Sequence, residues 1–207
     1  MKKVLFFCCL LVAFKNYSQT NWQQFKKLSC PEKTWVIFHI FKAKKAFKVS
    51  QEALKIADSI AKTPLLDGDN IGGQLDAFKH AYWTARLREE IGKNAARSLG
   101  KAHERGNYQQ FKRQQLEDNS LPDEISSTMD LHNNAIGLSF TEKGKKHPKN
   151  GLIYKIVNAI HAGKLKIIKK DKNGNYLTCD GKTINSRSLK HVWKNNKCLM
   201  NSNMINY

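Results

Sequence analysis

The chain has 207 residues, 36 Lys plus Arg against 17 Asp plus Glu, 41% hydrophobic residues, 4 Pro and 12 Gly. These figures exclude a disordered or fibrous protein and suit one ordinary domain, or one domain with a short appendage. The net charge of +19 bears on solubility and on attraction to polyanions, and says nothing about fold.

Lys2 and Lys3 precede an eleven-residue apolar run, Val4 to Phe14, followed by Lys15 to Thr20. This is the layout of a secretory signal, so residues 1–18 are expected to be an export signal removed near Ser18/Gln19. The run is too short to span a bilayer, which takes about 20 apolar residues. The expected compartment is the periplasm, the cell surface or the medium. A processed chain would keep Cys30, Cys179 and Cys198, an odd number in an oxidising compartment. Cys179 with Cys198 is the first pairing to expect, because both lie in a small C-terminal segment that is short of core. A zinc cluster of cysteines is excluded by count.

Pro31-Glu32-Lys33 opens a helical stretch that should run to Lys62, with Phe47, Leu54, Ala57 and Ala61 as its apolar stripe. Thr63-Pro64 ends it, and residues 67–73 (Asp-Gly-Asp-Asn-Ile-Gly-Gly) form a loop. Gln74 to Gly92 is the most informative helix. One face collects Leu75, Phe78, Ala81, Tyr82 and Ala85, while another carries Asp76, His80, Trp83, Leu87 and Ile91. Such a helix is covered on two sides, which places Asp76 and His80 one turn apart in semi-buried positions.

The next helix is expected from Lys93 to Glu104, stopping at Arg105-Gly106-Asn107, with residues 107–121 a loop containing helical fragments. A further helix should start near Pro122-Asp123-Glu124 and run to Leu138. Ile125, Met129, His132 and Ile136 give its packed face, with Asp130, Asn133, Asn134 and Gly137 on the adjacent stripe. Beyond it come a short helix from Gly151 to His161, a hairpin around Asn173-Gly174 joining 164–170 to 175–178, and a last helix within 186–197. The fold class is mainly α: a bundle-like helical domain at 31–140 carries the motifs, and a small basic α/β appendage follows at 141–207.

Charge is uneven. Residues 1–18 hold three Lys and no acid, 19–138 hold 18 basic and 14 acidic residues, and 139–207 hold 15 basic and 3 acidic. The Lys-rich stretch 164–170, with Tyr176 and Trp193, is suited to an anionic envelope surface or phospholipid. Lys outnumbers Arg 30 to 6, and Arg is preferred where phosphates or bases are read specifically, so specific nucleic-acid binding is not expected.

Three helices bring groups that could carry chemistry: Asp76 and His80, then His103 and Glu104, then Asp130, His132, Asn133 and Asn134. Bundles build metal sites from inward His and carboxylates on facing helices, with a position left open for water. The expected roles are His80, His103 and Asp130 as ligands of a divalent metal such as zinc, and Asp76 and Glu104 as proton acceptors or orienting groups. Asn134 would hold substrate or a reaction oxygen, with Asn133 and Trp83 binding substrate. The order His80, His103-Glu104, Asp130 resembles that of helical metal phosphohydrolases and of helical zinc phospholipases, in residue order only. A hydrolase of phosphoesters or lipids is therefore one expectation. The other is a non-catalytic envelope-binding or interaction domain in which the same residues form a buried polar network, with Gly137 ending its helix.

Gln74-Leu75-Asp76-Ala77-Phe78-Lys79-His80-Ala81-Tyr82-Trp83, then Ala102-His103-Glu104, then Met129-Asp130-Leu131-His132-Asn133-Asn134-Ala135-Ile136-Gly137 resembles an uncharacterised bacterial helical domain family. That family's pattern is Asp-Ala-Phe-Arg-His-Ala-Tyr-Trp, a His-Glu pair, and Met-Asp-Leu-His-Asn-Asn with a following Gly. The resemblance covers residues 35–140. Lys79 stands where the family has Arg. The resemblance marks these positions as a set and implies no particular reaction.

Overall fold

The structure is a computed structural model that describes residues 22–116 and 120–204; the expected export signal at 1–18 lies outside them. After a short helical stretch at 22–27 come α1 (Cys30–Phe38), α2 (Ile40–Ile60), α3 (Gln74–Ile91), α4 (Lys93–Lys112), α5 (Glu124–Ser139) and α6 (Lys149–His161). Two short strands, β1 (Lys166–Ile168) and β2 (Leu199–Asn201), pair antiparallel, with a 3-10 turn at Ser186–Leu189 between them. The protein is mainly α, with a small two-stranded sheet near its C-terminus.

Helix α3 is the axis. It is buried on almost every side, with Ala77, Phe78, Ala81, Tyr82, Ala85 and Leu87 at 0% exposure. Two apolar clusters meet on it. One joins Phe78 and Tyr82 to Ala53 and Ala57 of α2, to Leu152, Ile156 and Ile160 of α6, and to Leu165 and Ile167 at β1. The other joins Leu87 and Ile91 to Trp35 of α1, Val49 of α2, and Ala95, Ala96 and Leu99 of α4. Burying an aromatic side chain of this kind contributes about 1.5–3 kcal/mol. The core thus continues past residue 140 into α6 and β1.

Several expectations are corrected. The helix expected from Pro31 to Lys62 is two helices, broken at His39, whose φ of −129° and ψ of 37° are not helical. The buried face of α2 is Ala46, Val49, Ala53, Ala57 and Ile60, while Phe47 and Leu54 stay 38% and 49% exposed. Helix α4 does not stop at Gly106 but continues to Lys112. A Cβ on Gly106 would stand 2.4 Å from Ser29 Oγ, so this glycine lets the start of α1 lie against α4. In α5 the inward face is Ser127, Met129, Asp130, Asn133, Asn134, Gly137 and Leu138; the polar stripe points inward, and Ile125, His132 and Ile136 are only half-buried.

Gly137 does not end its helix, which runs two residues further. A Cβ there would meet Ala81 O of α3 at 2.2 Å, so the two backbones touch at this point. Thr84 Oγ1 donates across the contact to Asn134 O at 3.0 Å.

In the C-terminal part, the Asn-Gly turn forms, with Gly174 N–H donating to Asp171 O, and Lys170 bridges Tyr176. The strand partner of 166–168 is nevertheless β2 at 199–201, and the helix expected in 186–197 is only the 3-10 turn. Cys179 and Cys198 are disulfide-bonded, as the cysteine placement predicts, and Cys30 is free and exposed.

Candidate functional site

The loop before α3 sets the first side chain of the site. Asp67 accepts N–H bonds from Gln74, Asp69 and Leu75 at 2.8–3.2 Å and so caps the helix from seven residues upstream. Burial pushes the Asp67 carboxyl up, against the lowering effect of those three bonds. Gly73 admits no side chain, since a Cβ would lie 2.4 Å from Asp69 Cβ. Gly72 sits at φ +84°, where a residue without a side chain is unstrained, and its N–H donates to Asp76 Oδ2 at 2.8 Å.

With Oδ2 held this way, Asp76 Oδ1 lies 3.0 Å from Lys79 Nζ and 3.6 Å from His80 Nε2. From α5, Asp130 Oδ1 approaches the same His80 Nε2 to 3.4 Å. Asp76, His80 and Asp130 are all buried, and each offers a ligand atom within 4.8 Å of the others. The two nitrogen–oxygen separations exceed the usual hydrogen-bond length of about 2.7–3.2 Å. They match the spacing of two donors on one divalent ion: at about 2.0–2.2 Å from the ion and a tetrahedral angle, donors stand roughly 3.4 Å apart. One imidazole and two carboxylates also form a donor set suited to zinc or manganese.

These residues line a cavity of about 420 Å³. His103 of α4 stands across from His80, with ring centroids 6.2 Å apart, and packs its ring against Trp83 at 5.7 Å. Its Nδ1 is held by Glu32 Oε1 at 3.1 Å. Glu32 in turn closes a capping box at the start of α1, where its Oε2 accepts from the Ser29 N–H and hydroxyl at 2.8 and 2.7 Å. Burial opposes the charge on Glu32, but the bond and charge of His103 and the Ser29 bonds together hold its carboxyl down at about 2.

The other wall comes from the far end of the chain. Tyr176 and Lys197 line the cavity with Ser120 and Ile168. Lys197 Nζ pairs with Asp123 at 2.6 Å, its side chain 4% exposed, and lies 3.7 Å from the Tyr176 ring centroid. Burial pushes the Tyr176 hydroxyl up, a bond with Ser120 opposes this, and the charges of Asp123, Asp69 and Asp76 add to it.

The structure therefore brings Asp76 together with His80 and Asp130, and sets His103 beside that group in a pair with Glu32. Trp83 forms part of the wall, its Nε1 donating to Ser50 at 2.9 Å. Glu104 is buried away from the cavity lining and accepts from Asn107 Nδ2 at 3.2 Å. Asn134 is also absent from the lining; its amide packs on α4, where Gly100 has no side chain to displace it. Asn133, expected to bind substrate, uses both ends of its amide on Lys166, donating to its O and accepting from its N, each at 2.9 Å. It fastens α5 to β1.

A family model described as "Domain of unknown function (DUF6973)" matches residues 33–164. The chain belongs to this family. The DUF6973 match contains Asp76, His80, Trp83, His103 and Asp130. It ends before Tyr176 and Lys197, so part of the cavity wall is built by residues outside it. No curated protein and no solved structure matches the chain.

Sequence reasoning missed Glu32, Tyr176 and Lys197 as parts of the site. Glu32 had a visible signal, since Ser29-Cys30-Pro31-Glu32 has the spacing of a capping box. Tyr176 and Lys197 have none, because 100 residues or more separate them from Asp76.

Proposed function

We propose that this is an exported, metal-dependent hydrolase of phosphoesters or lipids, with Asp76, His80 and Asp130 holding a divalent cation such as zinc. The observation that carries this reading is the convergence of three buried donors, from two helices, on the wall of a cavity. A bound ion of this kind supplies a water acidic enough to attack near neutral pH.

The chain's own residues supply the rest. Gly72 fixes Asp76, leaving Oδ1 turned to Lys79 and His80. His103, with Nδ1 oriented by Glu32, takes or gives a proton at Nε2, the arrangement in which a carboxylate fixes the tautomer of a catalytic imidazole. The Lys79 ammonium, 3.0 Å from the same carboxylate, would turn to an anionic group in the cavity once Asp76 holds the ion. Trp83 and the apolar wall of Trp35, Val36 and Leu99 exclude water from the bound group. Export is supported by the Cys179–Cys198 bond, which persists in an oxidising compartment.

Zinc titration by calorimetry, with elemental analysis of the purified protein, tests the metal. One bound ion per chain is expected for the natural protein, and affinity at least tenfold weaker for Asp130→Asn and His80→Ala. Equal zinc affinity in all three would end the metal reading. In assays on a phosphomonoester, a phosphodiester and a phospholipid, Glu32→Gln should keep the ion but lose about tenfold or more in rate.

A second reading has its own observation. Lys79 Nζ lies 3.0 Å from Asp76 Oδ1, so the chain already carries a cation for this carboxylate, as a non-catalytic domain with a buried polar network would. In that case His80→Ala lowers the melting temperature, and zinc leaves it unchanged.

A further inference from the structure

Helices α1 and α2 meet in a corner at His39, whose backbone is not helical. The corner is firmly built: the His39 ring stacks on Trp35 with centroids 4.5 Å apart, its Nδ1 contacts Trp35 O at 3.0 Å, and its carbonyl accepts from the N–H groups of Lys42 and Ala43. Trp35 is itself buried and donates to Ser98 of α4 at 2.8 Å. The large residues on either side of His39 nevertheless face outward. Ile37 is 65% exposed, Phe38 80%, Ile40 67% and Phe41 95%.

Four large apolar side chains within five residues, exposed around a hydrogen-bonded turn, are not scattered surface residues of the ordinary kind. The chain around them, from Glu32 to Glu52, is rich in lysine. Between residues 33 and 51 the sequence has Lys33, Lys42, Lys44, Lys45 and Lys48 and no acid. Lys42, Lys44, Lys45 and Lys48 are exposed, with Lys45 3.9 Å from Glu90.

We infer that the α1–α2 corner is a docking surface for an anionic lipid bilayer: Ile37, Phe38, Ile40 and Phe41 enter the acyl boundary and the lysines of α2 meet the headgroups. An apolar wedge backed by lysines is the chemistry of interfacial binding, in which buried apolar area and attraction to anionic lipid add. No helix among the described residues is long and apolar enough to cross a membrane, so the corner rests on the surface. A second copy of the chain is a poorer occupant, because two-fold pairing through this corner brings together two α2 helices in which Lys outnumbers Asp plus Glu five to two. The cavity borders the same helices, with Val36, Ala43 and Phe47 in its wall, so docking would set its α1–α2 side toward the bilayer. The inference does not depend on a metal in the site.

Flotation of the full chain with vesicles of phosphatidylglycerol and phosphatidylcholine in equal parts tests it, against vesicles of phosphatidylcholine alone. Binding to the anionic vesicles is expected, reduced about tenfold or more by Phe38→Ser with Phe41→Ser and several-fold by Lys42→Glu with Lys48→Glu. All compared chains share the same N-terminal residues, so the differences report the corner. The substituted side chains are exposed, so the melting temperature should stay within about 2 °C of the original. Vesicle binding unchanged in both variants would overturn the inference. So would loss of binding only on Lys172→Gln, Lys182→Gln and Lys190→Gln, which would place the surface in the C-terminal segment. A dimer in sedimentation that Phe38→Ser with Phe41→Ser abolishes, with vesicle binding intact, would assign the corner to a second copy.

Discussion

At the scale of the residue, the site depends on which atom of each carboxylate is already taken. Asp76 has one oxygen fixed by Gly72, and Glu32 has one on Ser29 and one on His103. The Glu32 carboxyl falls from 4.5 to about 2, so its folded value lies below its unfolded one. The associated stability is fully present above pH 4.5 and is lost as pH falls toward 2. By linkage this amounts to about 3 kcal/mol. Chemical denaturation followed between pH 5 and 2 should show this loss, and Glu32→Gln should flatten the profile over that window. A variant as acid-sensitive as the natural chain would remove the Glu32–His103 pair as its cause. Residue types in the sequence were enough to mark Asp76, His80, His103 and Asp130, because polar groups on or beside the apolar rows of their helices call for partners. They could not distribute those partners. Asn133 carries the same chemistry as Asn134, yet Asn133 is consumed by Lys166 of β1, a residue 33 positions away.

At the scale of the element, the contact of α3 with α5 decides whether there is a site at all. Asp130 reaches His80 because Gly137, two turns further along α5, lets the helices touch at Ala81. A methyl group at Gly137 meets a backbone oxygen rather than a flexible side chain, so the helices must separate. Gly137→Ala should therefore cost about 1–3 kcal/mol in a denaturant melt and weaken zinc binding in the same protein. Full zinc affinity in a destabilised Gly137→Ala would show that the trio does not depend on this contact. Helix periodicity located α3, α5 and α6 closely. It misjudged α5's inward face, because apolar count favoured Ile125, His132 and Ile136. At a close helix crossing, small and hydrogen-bonded residues face inward instead, and Ser127, Asn133, Asn134 and Gly137 are of that kind.

At the scale of the whole molecule, the C-terminal segment is part of the site's architecture. β1 lies on loop 67–73 through the Ile168 N–H to Gly72 O bond, and the Lys170 ammonium bonds Asp69 and the Ile71 carbonyl. The Cys179–Cys198 bond spans 19 residues, with Lys197 next to one end and Tyr176 three residues from the other. A loop of this length predicts about 3 kcal/mol of stabilisation. Reduction, or Cys179→Ser with Cys198→Ser, should lower the melting temperature accordingly, and should also weaken whatever ligand the Tyr176–Lys197 wall receives. An unchanged melting temperature under reducing conditions would show that the bond adds nothing to the fold.

The sequence by itself determined the helical class, the buried double-faced nature of α3, the pairing of the two C-terminal cysteines and the residues that must find polar partners. Each of these follows from local spacing or from counting. Only the tertiary structure decided that Asp76 joins His80 and Asp130, that His103 turns to Glu32, and that Tyr176 and Lys197 complete the wall. Those outcomes depend on distances across helix crossings of a few ångströms, set by glycines such as Gly106 and Gly137, and no spacing along the chain encodes them.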